Sequence, residues 1–235
     1  MMRTDRRLRR SRPIALVDQS ARIAAMTDQL VSVTAASGEI DRPSQILEYT
    51  CRVIARDGAE GLRMAAVARE AKVSNALLHY YFATREELIR QAFEYHDRRE
   101  TQRSRQRLEQ IANPVARIRE VLAHELADDA VVREGWILWS EMQRLAMFHE
   151  ALRTSVADRS ARWVGGVADL ITEAQLERAV HPSVVAAAVA LRMTALVDGL
   201  GPRIINGSLT RDEALVALDE ALELELGAAR SAAPR

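Results

Sequence analysis

Between Ser74 and Phe82 the chain reads Ser-Asn-Ala-Leu-Leu-His-Tyr-Tyr-Phe, more rings and aliphatics than a two-turn helix buries on one face. At about 100° per residue, a core centred on Leu78 takes in Tyr81 and Phe82, and Val73 joins from just before the helix. Ala76, Leu77, His79 and Tyr80 then project outward, with Asn75 on the shoulder at the N-terminus. Such side chains suit the DNA major groove. Asparagine bonds a base edge in bidentate fashion, alanine and leucine meet a thymine methyl, and histidine and tyrosine reach bases or phosphates. On geometry alone, a helical hairpin inside an ordinary bundle accounts for the pattern equally well.

Two short helices crossing at a tight turn must hold that face out. Met64, Val67, Ala68 and Ala71 form the first, Lys72-Val73 breaks it, and Ser74 is placed to cap the second. The small Ala68 and Ala71 permit close crossing, and the second helix of such a pair enters the groove by its N-terminal residues. Upstream, Ile46, Thr50, Val53 and Ile54 make a stripe that ends at the Asp57-to-Gly61 turn. Downstream, Thr84-Arg85-Glu86-Glu87 has the S/T-x-x-E pattern of a capping box, and Leu88, Ile89, Ala92, Phe93 and His96 form one face of a longer helix. Arg85 falls in the first turn of that helix, where the dipole and free N–H groups favour an anion. Phosphate contact is its expected role, against that of a solvated surface arginine.

The spacing predicts further helices near 85–110, 114–129, 135–149, 150–178, 182–206 and 210–226. They are punctuated by Asn113-Pro114, Arg133-Glu134-Gly135, His181-Pro182 and Asn206-Gly207. Alternating runs of Val, Ile and Thr are lacking, so the fold class is all-α. The expected organisation is a flexible basic arm at 1–42, a three-helix candidate DNA-binding domain at 43–88 with its motif at about 63–82, and a larger helical domain at 89–235. Six arginines between Arg3 and Arg12 stand against Asp5 alone. That arm could attract DNA without reading sequence or reach into a minor groove, and a tail without a role fits as well.

Overall charge decides little, because 33 Lys and Arg balance 33 Asp and Glu. The single cysteine, Cys51, leaves no internal disulfide framework or thiolate metal cage and fits a reducing cytoplasm. The most apolar stretch, Val184 to Leu200, is interrupted by Arg192 and Asp198. No membrane span is expected, and a cytoplasmic location is.

Residues 63–88, RMAAVAREAKVSNALLHYYFATREEL, resemble the DNA-binding signature of the TetR family of bacterial transcriptional regulators. The resemblance rests on Val67, Ala68, Ala71, Val73, Ser74, Leu78, Tyr81, Phe82, Glu86, Glu87 and Leu88, and extends back through the helix at 44–57. It implies that Asn75, Ala76, Leu77 and His79 meet bases while Tyr80, Tyr81 and Arg85 approach phosphates. Lys72, the chain's only lysine, joins the DNA-binding candidates. The chain also departs from the signature. Lys72 stands where glycine is usual, which requires a left-handed or strained turn carrying a side chain. Arg63 replaces the threonine that commonly caps the preceding helix, His79 replaces a tyrosine, and Arg85 replaces a lysine.

Beyond residue 90 the segments GWILWSEMQRLAMFHEALR and ALVDGLGPRIINGSLTRDEALVALDEAL look like the carboxy-terminal domains of some TetR-type repressors, particularly the betaine-regulator-like group. The likeness implies small-molecule binding and dimerisation. Trp136, Trp139, Met142, Met147 and Phe148, with His124, Arg144, His149 and Trp163 as polar or amphipathic members, are the candidate lining for an apolar or cationic ligand. Core packing explains any one of them as readily. The helix near 182–206 is apolar on more than one side, and Gly165-Gly166 in the preceding helix points to close helix approach. A two-fold four-helix interface including Trp163, Val167, Leu170, Val185, Val189 and Leu196 is expected. The competing reading is that these residues form the monomer core.

Enzyme readings fare poorly. There is no Gly-rich phosphate loop, HExxH, CxxC or nucleophile elbow, and His124-Glu125 and His149-Glu150 are sequence neighbours that point about 100° apart on a helix. Histidines 79, 96, 124, 149 and 181 lack metal-ligand spacing, so neither catalytic residues, nor a cofactor, nor a metal is expected. The resulting expectation is a homodimeric regulator that binds double-stranded operator DNA. An unknown small-molecule effector held among helices 85–178 would shift the helix starting at Thr84 and release the repressor from its operator. The alternative is a helical small-molecule binding or scaffold protein whose helix-turn-helix is non-functional.

Overall fold

The computed structural model describes residues 41–227. Among them there are nine α-helices and no strands, as expected of an all-α chain. The nine are α1 (Arg42–Gly61), α2 (Met64–Glu70), α3 (Asn75–Tyr81), α4 (Arg85–Leu108), α5 (Pro114–His124), α6 (Ala130–Phe148), α7 (Glu150–Leu176), α8 (Ala186–Ile205) and α9 (Arg211–Leu222). The basic stretch at 1–40 lies outside the described residues.

Helix α1 packs on α4 and α6, burying Ile46, Val53 and Ile54 along the stripe read from the sequence. α7 packs chiefly on α8, α6 and α5, and α9 closes over α8 and α5. Helix starts follow their capping chemistry. The Asn113 side chain accepts from Ala116 N–H at 3.0 Å ahead of Pro114, and Asp129 accepts from the N–H groups of Val131 and Val132, both at 2.8 Å. The Asp129 cap starts α6 upstream of the expected break at Arg133-Glu134-Gly135, and the helix runs straight through Gly135. A Cβ there would lie 3.0 Å from His96 Nε2, so this glycine makes room for an imidazole.

Three helices end in the same way. At Lys72 (φ 54°), Arg178 (φ 60°) and Gly207 (φ 77°) the backbone turns left-handed. The next N–H then reaches back to a carbonyl of the last turn: Val73 to Ala68 at 2.9 Å, Ala179 to Ala174 at 2.8 Å, and Ser208 to Arg203 at 2.9 Å. This is the Schellman closure, in which glycine is the residue of least strain. Lys72 adopts the left-handed turn that its place in the signature requires.

Candidate nucleic-acid interface and effector cavity

α3 is pinned by few contacts and leaves most of its side chains in solvent. Ser74 Oγ accepts from Leu77 N–H at 3.1 Å, and Leu78 and Phe82 are fully buried. Asn75, Ala76 and His79 are exposed, Leu77 is half-buried, and Tyr80 is 80% exposed with its ring edge-on to Tyr81 at 5.2 Å. Tyr81 departs from the core role read for it and is 36% exposed. The helix ends there, and the extended backbone at Phe82 (φ −132°, ψ 101°) turns that ring into the core instead. Lys72 is also exposed. Arg63 flanks α2 with no side-chain cap bond.

Arg85 is placed differently from the expectation. Its Nε donates to the Leu62 carbonyl at 3.0 Å, and its Nη2 donates to the Ala59 carbonyl. The guanidinium is half-buried and closes the turn that ends α1, past its kink at Gly58 (φ 74°), rather than standing out toward a phosphate. On the other side of that turn, Ala59 N–H donates to Glu141 Oε2 of α6 at 3.0 Å. The Thr84 cap forms on one side only. Its hydroxyl accepts from Glu87 N–H at 3.1 Å, while the Glu87 carboxylate goes to Arg90 and Gln91. The reciprocal box occurs at Thr210 and Glu213, at the start of α9.

The second candidate region is a cavity of about 40 Å³ among α4, α5, α6 and α7. Phe93, Trp136 and Trp139 supply its aromatic walls, and Phe93 stacks on Trp139 with centroids 5.8 Å apart. Trp136 is locked by its indole N–H, which donates to the Glu125 carbonyl at 2.7 Å. It is also locked by Gly201 of α8, where a Cβ would fall 2.1 Å from the ring. Asp97, Glu100 and Glu125 reach the same cavity. Arg159 of α7 lies across it, with its guanidinium 4.3 Å from the Trp139 ring centre and its Nε 3.3 Å from Asp97 Oδ1. Asp97 also holds Arg162 at 2.8 Å.

Burial dominates the titration of the groups here. It pushes the half-buried Glu125 carboxyl up, opposed by Arg159. It pushes Asp198 of α8 up as well, against the pull of Arg159 and of the Trp139 indole. It pushes the imidazoles of His96 and His124 down, so both favour the neutral form. The indole N–H of Trp139 is itself buried without a well-aligned hydrogen bond.

Of the expected ligand residues, Trp136, Trp139 and His124 line this cavity. Met142 is buried in the core beside it, and Trp163 sits half-buried on α7. Met147 and Phe148 end α6 and are 69% and 77% exposed. His149 follows them in solvent, and Arg144 is exposed and pairs with Glu141 at 3.1 Å. These four belong to no lining of this cavity. The residues missed were Phe93, Asp97, Glu125 and Arg159. For Phe93 and Asp97 a signal was available on α4, where the apolar face Leu88, Ala92, Phe93, His96 continues into Asp97 and Glu100. Carboxylates on a buried face mark a site rather than a core.

The dimer candidates divide as well. Val167 and Val189 are buried within the protomer, whose α7 packs on α8, which fits the competing reading of a protomer core for these two. Trp163, Leu170 and Leu196 are half-buried, and Val185 is 66% exposed.

A family model for bacterial regulatory proteins of the tetR family matches residues 46–92, and one for the C-terminal part of BetI-type transcriptional repressors matches residues 114–227. A crystal structure from Rhodococcus sp., assigned to the TetR-family transcriptional regulators, is 32% identical. It superposes with a TM-score of 0.71, covering 79% of this chain and 98% of that one. The chain belongs to the TetR family. A transcriptional regulator from Saccharomonospora viridis, solved in complex with choline, is 26% identical with a TM-score of 0.70, over 77% of this chain and 95% of that one. The nicotine-responsive repressor HdnoR of Paenarthrobacter nicotinovorans is 40% identical over 53 residues, a match spanning 23% of this TetR-family chain and 27% of its curated relative. No described helix of this TetR-family member is long and apolar enough to cross a membrane.

Proposed function

We propose that this TetR-family regulator is a homodimeric repressor that reads operator DNA with α3 and is released by a small organic cation bound beneath α6. Residues 43–88 form the reading unit in this account, residues 89–235 form the sensing and pairing unit, and the cytoplasm is where it acts. The observation that carries the effector reading is Arg159. Its guanidinium lies on the face of Trp139 and pairs with Asp97, beside Glu100 and Glu125. The cavity already accommodates a delocalised cation on an aromatic face among carboxylates, which is the chemistry that recognises quaternary ammonium groups. The choline-bound relative supports the same class.

At about 40 Å³ the cavity holds little more than water, so an effector enters by displacing Arg159. That displacement moves α6, which carries both tryptophans and, further along, Glu141. Glu141 holds Ala59 from one side and Arg85 holds it from the other, so the shift reaches the turn that seats the reading helix. Two heads matched to half-sites about 34–36 Å apart lose their grooves when that spacing drifts. For pairing, Gly165, Gly166 and Gly199 face open space in the protomer, and Leu191 is exposed. A second copy supplies the close helix approach that these glycines permit.

The test is fluorescence anisotropy on the duplex flanking the chain's own gene, against a scrambled duplex, across a salt series. Tight, salt-sensitive binding to the native duplex alone is expected, lost in the Asn75→Ala, His79→Ala double variant. Choline should then release the DNA. Its neutral isostere, with carbon in place of the ammonium nitrogen, should not. Equal release by both compounds, or unchanged release of Trp139→Leu, sinks the cation reading. Equal weak binding of both duplexes, repeated in a random-library selection, sinks operator reading and leaves the scaffold alternative.

A further inference from the structure

The expectation that this chain holds no metal came from histidine spacing along the sequence, and the fold brings together three ligand types that the sequence keeps far apart. Cys51 of α1, His96 of α4 and Glu134 of α6 each place one donor atom within 4.8 Å of the other two. We propose that these residues form a site for a divalent cation of the zinc class, stapling the helix that opens the reading unit to the helices that sense effector.

The geometry is that of a site with room left in it. His96 Nδ1 lies 3.7 Å from Glu134 Oε1, and Cys51 Sγ is buried and donates to the Ala92 carbonyl at 3.3 Å. Drawing three donors to bonding distances of about 2.0–2.3 Å from one ion asks them to close by roughly an ångström, within the reach of side-chain rotation. A thiolate, an imidazole and a carboxylate together suit zinc or cobalt better than magnesium or calcium, which take oxygen alone. Gly135 adds an independent mark. In the middle of α6 it forgoes a side chain, and that lets the His96 ring lie against the helix backbone. His96 and Gly135 also line the effector cavity, whereas Cys51 and Glu134 do not, so the site borders the cavity through His96 alone. Three protein ligands leave the fourth place of a tetrahedral ion to water or a bound group. On binding, the Cys51 thiol gives its proton to solvent and its sulfur forms the metal bond.

The site lies where α1 meets α4 and α6, so loading it resists any drift of α1 against α6. Metal-loaded protein should hold operator more tightly than stripped protein. This does not depend on which organic effector occupies the cavity.

The experiment uses the full, tag-free chain, stripped with chelator and titrated with Co²⁺ as a spectroscopic probe. One equivalent is expected to raise a thiolate-to-cobalt charge-transfer band together with the visible bands of a tetrahedral ion, both removed by Zn²⁺. Cys51→Ser should lose the charge-transfer band. Glu134→Gln, a half-exposed and nearly isosteric change that leaves folding intact by circular dichroism, should weaken Co²⁺ binding on the order of tenfold or more. Zn²⁺ should raise the melting temperature of the parent chain and not that of Glu134→Gln. The proposal is overturned if the parent chain develops no thiolate band in excess Co²⁺. It is also overturned if visible bands appear without it, or if Glu134→Gln and His96→Gln bind as the parent does.

Discussion

Helix α3 presents its chemistry outward from seven residues, whereas α6 turns Trp136 and Trp139 inward beneath neighbours from four other parts of the chain. The difference lies in what holds each working side chain in place. On α3, Leu78 and Phe82 anchor the backbone and the outward side chains are free to meet whatever approaches. On α6, every working ring is held by a group from elsewhere: Gly201 and the Glu125 carbonyl for Trp136, Phe93 and Arg159 for Trp139. A surface that reads a large rigid partner needs a firm base and exposed tips. A cavity that answers a small molecule needs walls that can move.

The comparison can be broken most severely at its anchor. Leu78→Ala removes a fully buried side chain and should cost about 2–5 kcal/mol in denaturant unfolding. Asn75→Ala with His79→Ala on the same helix should leave the unfolding midpoint unmoved. Equal loss in the two variants would mean that the outward face is not free. Next comes Gly201→Ala, whose new methyl would collide with the Trp136 ring and should cost about 1–3 kcal/mol. It should also blunt effector release while operator binding survives; a neutral result would show that Trp136 is not fixed in place.

A smaller effect sharpens the cavity side through pH. Burial holds the Glu125 carboxyl above its ordinary value while Arg159, Glu100, Arg107 and Asp198 act on it. In that window the folded chain binds more protons at Glu125 than the unfolded chain does, so this group makes stability fall as pH rises from its ordinary value through the raised one. Glu125→Gln should therefore stabilise the protein at neutral pH and lose that advantage in acid. Melting curves of both chains across that range give the sign directly. Smallest is Lys72→Gly, which relieves the left-handed turn at the cost of a freer unfolded chain. It should gain about 0.5–1 kcal/mol, with Arg178→Gly matching it at the end of α7.

What could be read ahead of the structure follows the same division. Ser74 and Thr84 act within a few residues of themselves, and each caps the helix it was expected to cap, Thr84 without the reciprocal bond of a capping box; the expected break at Asn113-Pro114 is an Asn113 cap. The left-handed turn at Lys72 was legible because the helix break there is local. Gly135 was misread as a break because its partner, His96, is thirty-nine positions away on another helix. Val167 and Val189 fit an interface and a protomer core alike in sequence, because an apolar stripe has the same pattern whether its cover is the same chain or a copy. Arg159 gave no sign at all. A single arginine on a polar helix acquires meaning only when the fold sets it over Trp139.

The turn at Ala59 to Leu62 bears on engineering. It is gripped by Arg85 from within the reading unit and by Glu141 from outside it. A chimaeric biosensor made by transplanting residues 42–88 onto a foreign sensing body would carry the first grip and abandon the second. On the proposed reading such a hybrid would keep operator binding, yet stay deaf to the new body's signal unless a carboxylate were rebuilt opposite Ala59.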